Sequence, residues 1–490
     1  MSDQSQSLSE LLNELKSLGV RLRVEGDGLR CDAPVGVIDK VLGNRIREHK
    51  RQIISLLRSR PNAESSIDDD LKLRESIRPA CNSGPRRSNA IFLTGATGFL
   101  GRYLLSELLR QTDAVVYCLV RNQEGAPTGE TRSTRLRSAS INAGADPSQF
   151  DSRVIEVPGD LSRPNLGIAS KTQEELVREV VCVLHNGATV HHGMPYRSLK
   201  RANVDGTEES IELACRADAS FHYVSTISVF PPIPPSGRSM FYESDSLDEF
   251  PAPQGGYNLS KWVGEHLVTE ASARGLPAAI YRPGPISGDS RTGQFNGQDF
   301  LCRLMQGYIQ SGIAPVGEMT LDLLPVDYVA QVIVYLAKQF DLPGTRAQSL
   351  RRFHLLHPQP ASSDMLFDAC GRAGFSIDRV PYDQWFKHLM HVAATADETH
   401  PLYPLASLFS SRRTTTNDVP AETIPFEMSC TRDALEAAPF SPPALDADLF
   451  DRYLAKLTES GLLDSSRSSR ESRMVEHPSA MLAESRSGGP

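Results

Sequence analysis

The stretch AIFLTGATGFLG, at residues 90–101, joins an apolar run to a glycine-rich turn, and a run with helical periodicity follows it. Strand, glycine turn and helix in this order form the context in which a phosphate-binding loop is built. Gly95 allows a sharp turn, Gly98 leaves room for a pyrophosphate and Gly101 lets the helix pack close to the strand, while the helix N-terminus offers free N–H groups. The GxxGxxG spacing predicts a dinucleotide loop, with a ligand-free tight turn as the alternative. The residues predicted to line this loop are Thr94, Gly95, Thr97, Gly98, Phe99, Leu100 and Gly101.

Length and composition bound the class of protein. A chain of 490 residues is expected to hold two or three domains with an ample core. No apolar run reaches the roughly 18 residues of a membrane-spanning helix, and the polar N-terminus lacks a signal-peptide core. The 8 cysteines are scattered without a CxxC pair, which predicts reduced thiols in a cytoplasmic protein without a disulfide framework or metal site. The net charge of −8 argues against nucleic-acid binding.

Further apolar runs follow the first, and stretches with helical periodicity separate them. Alternating strands and helices predict an α/β fold with a doubly wound parallel sheet of the Rossmann type. Ligands of such sheets bind at the carboxyl ends of the strands. The predicted strands after the first are residues 114–120, 154–157, 181–184, 221–226 and 278–284. The polar residues expected at strand ends are Asp160, Asn186, Thr226 and Arg282.

Arg121 ends the second predicted strand, where an NAD-specific protein usually places Asp or Glu to hold the ribose 2′-hydroxyl. A guanidinium at this position suits a 2′-phosphate instead, and Arg102 and Arg135 could assist it. We therefore expect NADPH rather than NADH as the cofactor, with an ordinary surface arginine as the alternative reading of Arg121.

Tyr257 and Lys261 are four residues apart, so on a helix their side chains share one face. An ammonium close to a phenol stabilises the phenolate and lowers the phenol pKa from about 10. A tyrosine tuned in this way can exchange a proton with a carbonyl oxygen near neutral pH. Thr226 precedes the pair at a strand end and can hydrogen-bond the same oxygen. A YxxxK pair alone is common on helices, but after the glycine loop and the strand-end threonine it indicates an oxidoreductase site.

Together these motifs resemble the extended short-chain dehydrogenase/reductases. The closest resemblance is to thioester reductase domains, the terminal reductases of nonribosomal peptide synthetases and carboxylic acid reductases. The resemblance covers about residues 70–460. The segments that carry it are LTGATGFLG at 93–101, CLVR at 118–121, GDL at 159–161, HNGA at 185–188, NVDGT at 203–207, VST at 224–226, GYNLSKW at 256–262, YRPG at 281–284 and PVDYVA at 325–330.

The resemblance implies a catalytic triad of Thr226, Tyr257 and Lys261, with Thr226 rather than Ser225 as the strand-end member. The implied reaction is NADPH-dependent release of an acyl or peptidyl thioester from a phosphopantetheinyl carrier protein as an aldehyde, and a second reduction would give the alcohol. Because the chain shows no convincing serine motif of a carrier domain, the carrier is expected to act in trans. The further cofactor contacts that the resemblance implies are Asp160, Leu161, Asn186, Tyr257 and Lys261.

The first 60 residues form a pattern of their own. Leucines at helical spacing precede the alternating run VRLRV at 20–24, a GDG turn and a second helical stretch. This order predicts a small α-β-β-α domain with a β-hairpin. So small a core is marginal alone, so a partner or a homodimer through this domain would help it.

This module resembles the TubC-type N-terminal docking domains of peptide and polyketide synthetases. The matching text lies at residues 11–15, 19–22, 26–30 and 33–34. The resemblance implies that an upstream synthetase subunit adds its C-terminal tail to the hairpin, where Arg21, Arg23 and Arg30 would suit acidic residues. The alternative is that these arginines only protect an exposed sheet edge.

The expected organisation is a docking domain at 1–60, a linker at 61–88 and an NADP-binding Rossmann domain at 89–330. A smaller, mixed but mainly helical substrate domain is expected at 331–463, with insertions near 230–255 and 285–325, and a disordered tail at 464–490. Two other functions stay open. One is a reductase, epimerase or dehydratase acting on a free small molecule such as a nucleotide sugar, and the docking module argues against it. The other is a non-catalytic scaffold, which the intact triad argues against.

Overall fold

The computed structural model describes residues 11, 21–25, 28–32, 42–43, 45–46, 49–50, 67–80, 89–121, 132–191, 193–231, 238–297, 300–317, 320–340, 350–395 and 426–463. The chain divides into two compact units, Met1–Leu71 and Lys72–Pro490. The tail predicted at 464–490 lies outside the described residues.

The first unit contains the hairpin that the alternating run predicts. Strands β1 (Arg21–Glu25) and β2 (Gly28–Asp32) pair antiparallel, with Arg23 opposite Arg30. Leu11, Leu42 and Ile46 are buried, as expected for the apolar faces of flanking helices. Most of those two predicted helices lies outside the described residues. A short helix, α1 (Ile67–Asp70), ends the unit.

The second unit is built on a seven-stranded sheet whose strands are all parallel. Its strands are β3 (Ala90–Thr94), β4 (Val116–Val120), β5 (Val154–Pro158), β6 (Val180–His185), β7 (Ser220–Val224), β8 (Ala278–Pro283) and β13 (Arg351–Leu355). The order across the sheet is β13-β8-β7-β6-β3-β4-β5. The chain thus winds outward from β3 in one direction and then returns to its other side at β6. This reversal creates a crevice at the carboxyl ends of β3 and β6, where such folds bind ligands.

Helices cover both faces of the sheet, as a buried parallel sheet requires. The larger helices of the Rossmann part are α2 (Phe99–Gln111), α3 (Arg132–Asn142), α4 (Pro147–Arg153), α5 (Ser170–Glu179), α6 (Tyr196–Lys200), α7 (Gly206–Arg216), α8 (Gly256–Ala273) and α10 (Val326–Phe340). Helices α2 and α10 pack against each other and bury an apolar cluster against the sheet. Every residue of β3, β4, β7 and β8 is buried, which explains their continuous apolar sequences.

The six strands predicted from the sequence are confirmed, but the sheet has a seventh. Strand β13 pairs with β8 in parallel, with Phe353 opposite Tyr281, although its sequence lies beyond the predicted Rossmann boundary at 330. Its first residue is exposed and only its last three are buried, because it is an edge strand. The main sheet therefore draws on the segment that the sequence assigns to the substrate domain.

The rest of that segment forms a second region with cores of its own. Its elements are β9 (Ile286–Ser287), α9 (Phe300–Ser311), β10 (Ile313–Pro315), β11 (Thr320–Leu321), β12 (Leu324–Pro325), β14 (Ala361–Ser362), α11 (Ser363–Arg372), β15 (Asp378–Val380), α12 (Tyr382–Thr395), α13 (Ser429–Leu435) and α14 (Ala447–Glu459). One cluster joins residues of α9, α11 and α14, and another joins α9 to α12 around Trp385. The segment at 285–325 thus shares cores with residues beyond 350, which fits its predicted place in a substrate domain.

Candidate active site

The glycine loop connects the centre of the sheet to helix α2. Thr94 is the last, fully buried residue of β3, and Gly95 follows with a φ of 72°. Gly98 precedes the first residue of α2, and its N–H donates to the Gly95 carbonyl at 2.9 Å. Thr97 and Gly98 are exposed, so the turn is open to solvent. Phe99, Leu100 and Gly101 form the first turn of the helix, as the sequence predicts.

The loop is so tightly packed that side chains are excluded from it. A Cβ atom on Gly101 would lie 1.9 Å from the Gly95 carbonyl oxygen, and one on Gly95 would lie 2.7 Å from the Gly187 Cα. Only glycine allows these approaches, since the contacts are with backbone that cannot move aside. The result is a bare backbone cradle at a helix N-terminus, which fits the diphosphate of a dinucleotide.

Polar residues follow the neighbouring strands at the same edge of the sheet, and Asn186 among them contacts the loop. Asn186 follows β6, and its Nδ2 donates to the Gly95 carbonyl at 3.4 Å. Asp160 follows β5 by two residues and accepts hydrogen bonds from the Ser162 N–H and hydroxyl, both at 2.8 Å. Burial opposes ionisation of Asp160, but Ser162 and the charge of Arg121 outweigh it, so the carboxyl pKa is lowered. Arg121 therefore lies near Asp160.

Further residues predicted to contact the cofactor follow strands β4 and β5 or lie on helices α2 and α3. Arg121 is exposed at the end of β4, and Arg135 is exposed on α3. Leu161 packs against Gly187 in the segment after β6, because a Cβ on Gly187 would lie 2.6 Å from its Cδ1. Arg102 lies in the first turn of α2, with its guanidinium 5.0 Å from the Phe99 ring centroid.

A buried hydrogen-bonded chain that the sequence did not reveal holds β3 to β6. The Gly187 N–H donates to the Thr94 hydroxyl at 2.9 Å, and that hydroxyl lies 3.0 Å from His185 Nδ1. His185 Nε2 lies 3.1 Å from the Thr207 hydroxyl, which donates to the Asn203 carbonyl at 2.7 Å. Because the Thr207 hydroxyl gives its one proton to the Asn203 carbonyl, it must accept from His185, which places a proton on Nε2. Burial accordingly lowers the pKa of His185 to about 3.

The predicted triad residues lie on two neighbouring elements. Thr226 follows β7 and begins the 3-10 turn Ile227–Val229, where its hydroxyl accepts from the Ser228 N–H at 3.2 Å. Tyr257 and Lys261 lie one turn apart near the start of α8, which packs against that 3-10 turn. Lys261 Nζ donates to the Val224 carbonyl at 2.7 Å and lies 4.7 Å from the Tyr223 ring centroid. The lysine thus joins the helix of the YxxxK pair to the last residue of β7, two residues before Thr226.

The pKa values of this pair differ from the sequence expectation. Burial raises the pKa of Tyr257 to about 12, instead of the expected lowering. Burial also lowers the pKa of Lys261 to about 7, against the opposing charge of Glu265. The physical reason is that a low-dielectric setting disfavours both charged forms, the phenolate and the ammonium.

Ser225, which directly precedes Thr226, has a different environment. It is buried, and its hydroxyl donates to Glu265 Oε1 at 2.5 Å. Glu265 forms a fully buried ion pair with Arg282 at 2.7 Å, and Arg282 Nη1 lies 3.2 Å from His354 Nε2 on β13. A serine that is committed to this pair is a structural residue, which favours Thr226 as the hydroxyl available to a substrate.

A π-helical turn, Arg201–Asp205, supports the start of α8. Asn203 in this turn accepts from the Thr189 N–H at 2.7 Å and donates to the Ser260 hydroxyl at 2.9 Å. Ser260 in turn donates to the Tyr257 carbonyl at 2.7 Å. Such turns often mark functional sites, and the NVDGT segment at 203–207 is the sequence signal that contains this residue. Asn203 therefore helps to fix the backbone that carries Tyr257.

Comparisons with known proteins agree with this geometry. The family described as Male sterility protein, a nicotinamide-dinucleotide-binding family, matches residues 93–333. The family described as TubC N-terminal docking domain matches residues 8–59. Among the described residues, no helix is long and apolar enough to cross a membrane, and no group of three or more His, Cys, Asp or Glu could hold a metal ion.

Individual relatives are synthetase reductase domains. The terminal R domain from the myxalamid PKS-NRPS pathway is 35% identical with a TM-score of 0.70, over 81% of this chain and 98% of that one. The R domain of a nonribosomal peptide synthetase from Mycobacterium tuberculosis is 27% identical with a TM-score of 0.64, over 81% and 96%. A linear gramicidin synthase polypeptide of Brevibacillus parabrevis is 36% identical over 79% of this chain but only 7% of its own length. The chain spans 25% and 21% of two further curated relatives.

The fold and site thus define an oxidoreductase of the extended short-chain dehydrogenase/reductase type, with a nicotinamide-dinucleotide fold. More narrowly, the chain belongs to the terminal reductase domains of nonribosomal peptide synthetases, here preceded by a TubC-type docking domain.

Proposed function

We propose that this chain is an NADPH-dependent thioester reductase that releases a carrier-bound acyl or peptidyl group as an aldehyde. The observation that carries the proposal is the hydrogen bond from Lys261 Nζ to the Val224 carbonyl at 2.7 Å. It holds the helix of Tyr257 against the strand end that presents Thr226, at the edge of the sheet that also carries the glycine loop. A proton donor, a second hydroxyl and a dinucleotide cradle therefore share one edge of the sheet.

The chemistry follows from the residues present. Tyr257 and Thr226 would hydrogen-bond the thioester carbonyl oxygen and stabilise the negative charge that develops there. A phenol with a raised pKa is fully protonated at neutral pH, so Tyr257 is in the state that a proton donor needs. Bound NADPH supplies the hydride. Lys261 in its charged form would stabilise the phenolate left on Tyr257. Breaking of the carbon–sulfur bond then returns the carrier thiol and frees the aldehyde.

The choice of NADPH rests on Arg121. Its exposed guanidinium directly follows β4, where a 2′-phosphate would be placed in this fold class. Arg135 is an exposed cation on α3 that could add to the attraction. The remaining contacts with the dinucleotide would come from the glycine loop, Leu161 and Asn186, and from Tyr257 and Lys261.

The substrate would arrive on a partner protein. A docking domain serves to recruit an upstream synthetase subunit, and its hairpin would accept the acidic C-terminal tail of that subunit as an added strand. A phosphopantetheinyl carrier protein of the partner would then present the thioester in trans, with a homodimer of docking domains as a possible framework.

An assay with an acyl-loaded carrier protein tests this function. We expect NADPH oxidation together with release of aldehyde, and much slower turnover with NADH. Tyr257→Phe should lower turnover by about a hundredfold, the usual scale of lost acid catalysis, while NADPH still binds. Tyr382→Phe, which removes a hydroxyl from an exposed tyrosine of α12, is the matched control. Turnover of nucleotide sugars without NADPH oxidation on the carrier would refute the proposal.

A further inference from the structure

Residues 72–80, predicted as part of a linker, form an extended strap on the second unit. The strap is held by backbone as well as side-chain contacts. The Leu73 N–H donates to Glu270 Oε2 at 2.6 Å, and the Ala80 N–H donates to the Cys215 carbonyl at 2.9 Å. Leu73 and Ile77 are both only 2% exposed. A segment fixed at both ends with two buried anchors is part of the folded domain.

Arg274, directly after α8, hydrogen-bonds to the backbone of the strap. Its guanidinium donates to the carbonyls of Leu73, Arg74 and Ile77 at 2.6–2.8 Å. It also forms an ion pair with Glu270 at 2.6 Å, so the two side chains together hold the backbone of the strap. These contacts fix the backbone position of Arg74.

Arg74 reaches a cluster of three carboxylates on α7. Its guanidinium lies 2.9 Å from Glu208, 3.1 Å from Glu209 and 3.0 Å from Glu212. Three carboxylates at adjacent helical positions repel one another, and a single guanidinium among them removes most of that repulsion. Arg74 therefore stabilises the Glu209 carboxylate in its position on α7.

Glu209 is the member of this cluster that touches the loop after β5. Its Oε2 accepts from the Asn165 N–H at 2.8 Å. Asn165 and Leu166 have φ values of 53° and 55°, a left-handed conformation that non-glycine residues avoid. Such strain persists only where the surroundings impose it. The Leu166 carbonyl in turn accepts from the Asp160 N–H at 2.7 Å.

We propose that Arg74 is a positioning residue for the cofactor site, acting through Glu209 and the strained turn at Asn165 on the backbone of Asp160. The inference rests on the proposed function, in which Asp160 contacts NADPH. The strap that follows the docking domain is then a structural determinant of cofactor affinity. Arg74 touches neither cofactor nor substrate, and its effect falls on binding rather than on the chemical step.

The full chain with single substitutions tests this. E209Q and E212Q each remove one carboxylate from Arg74, but only Glu209 contacts Asn165. We expect E209Q and R74Q to raise the Kd for NADPH about tenfold, the scale of one hydrogen bond to a charged group, and to raise KM for NADPH with kcat unchanged at saturation. E212Q should leave Kd within about twofold of the wild type.

The outcomes separate this inference from the function it rests on. Equal Kd values in E209Q and E212Q, or an unchanged Kd in R74Q, would overturn the positioning role while wild-type aldehyde release still supports the function. A strap with a purely structural role would lower Tm in R74Q without changing Kd, and this result would also overturn the inference. Failure of the wild type to bind NADPH would instead remove the proposed function itself.

Discussion

Two adjacent hydroxyls that follow β7 have different hydrogen-bond partners, and this difference supports the proposal that Thr226, and not Ser225, contacts the substrate. Ser225 is 3% exposed and donates to Glu265, whose other partner is the buried Arg282. Thr226 is half-buried, and its hydroxyl accepts from the N–H of an exposed serine. The proton of Thr226 is therefore available to a carbonyl oxygen, whereas that of Ser225 is committed.

Substitution of the two hydroxyls should separate catalysis from stability. Thr226→Val is expected to lower kcat at least about tenfold, because one donor to the developing oxyanion is lost, with little change in unfolding. Ser225→Ala removes one of the two donors to the buried Glu265 Oε1, which keeps only Arg282 Nε at 3.1 Å, so we expect a loss of about 1–3 kcal/mol in the free energy of unfolding. Steady-state kinetics and urea unfolding of both variants check this. A larger kcat loss in Ser225→Ala than in Thr226→Val would reverse the assignment.

The pKa of Lys261 predicts a pH limit on turnover. Burial lowers this pKa to about 7 from 10.5, so the ammonium loses its proton as pH rises through neutrality. Because the charged form is the one proposed to stabilise the Tyr257 phenolate, kcat/KM should fall on the alkaline side with an apparent pKa near 7. Lys261→Arg keeps its charge at all these pH values. In the kcat/KM–pH profile of this variant, the alkaline limb should shift to higher pH by more than about one pH unit, even if its maximal rate is lower. An unmoved limb would assign the titration to another group.

At the scale of single elements, the start of α2 depends on a glycine that no other residue can replace. In Gly101→Ala the new methyl would lie 1.9 Å from the Gly95 carbonyl oxygen, so helix and loop must separate. We expect a loss of about 3 kcal/mol or more in unfolding free energy and weaker NADPH binding. Gly371→Ala is the matched control, since Gly371 is an exposed position of α11 and a Cβ there would meet no atom within 4 Å. It should gain about 0.5–1 kcal/mol. Similar Tm values for the two variants would contradict the close packing.

The sequence predicts an element when the residues that stabilise it are close together in the chain. The first six strands of the sheet are short apolar runs that alternate with stretches of helical periodicity, so pattern alone predicts them. Strand β13 begins with two arginines and lies at an edge, so its apolar content is low and its pairing depends on β8. The strap is held by Glu270 and Arg274, which lie about 200 residues away in sequence. No local pattern encodes such contacts.

The candidate site also contains features that local sequence predicts and features that depend on contacts between distant elements. The glycine loop and the YxxxK pair are recognisable because fixed spacing on one element creates them. The supports of the site join different elements, as Asn203 joins Ser260 and Glu265 joins Arg282, and only the fold brings them together. The predicted lowering of the Tyr257 pKa was wrong for a related reason, because burial is a property of the folded chain and outweighs the expected effect of a neighbouring charge.

At the scale of the whole molecule, the boundary between the docking domain and the reductase domain lies before the strap. The second unit begins at Lys72 and includes every strap contact, so deletion of residues 1–60 leaves those contacts intact. Under the proposed function, docking would make the encounter between carrier and reductase intramolecular, with a gain in effective concentration of about a hundredfold or more. Deletion should therefore raise KM for a carrier on the native partner subunit by about that factor, with kcat preserved.

A small soluble thioester is the control substrate, because it needs no docking. Its kcat/KM should be the same for the full chain and the deletion variant, and so should the Kd for NADPH. Equal losses on both substrates would mean that the first 60 residues are required for folding and that recruitment is not their role.

A deletion extended through residue 80 should affect the reductase unit itself, which the shorter deletion leaves intact. It removes Arg74 and the buried Leu73 and Ile77, so NADPH affinity and Tm should both fall even with the soluble substrate.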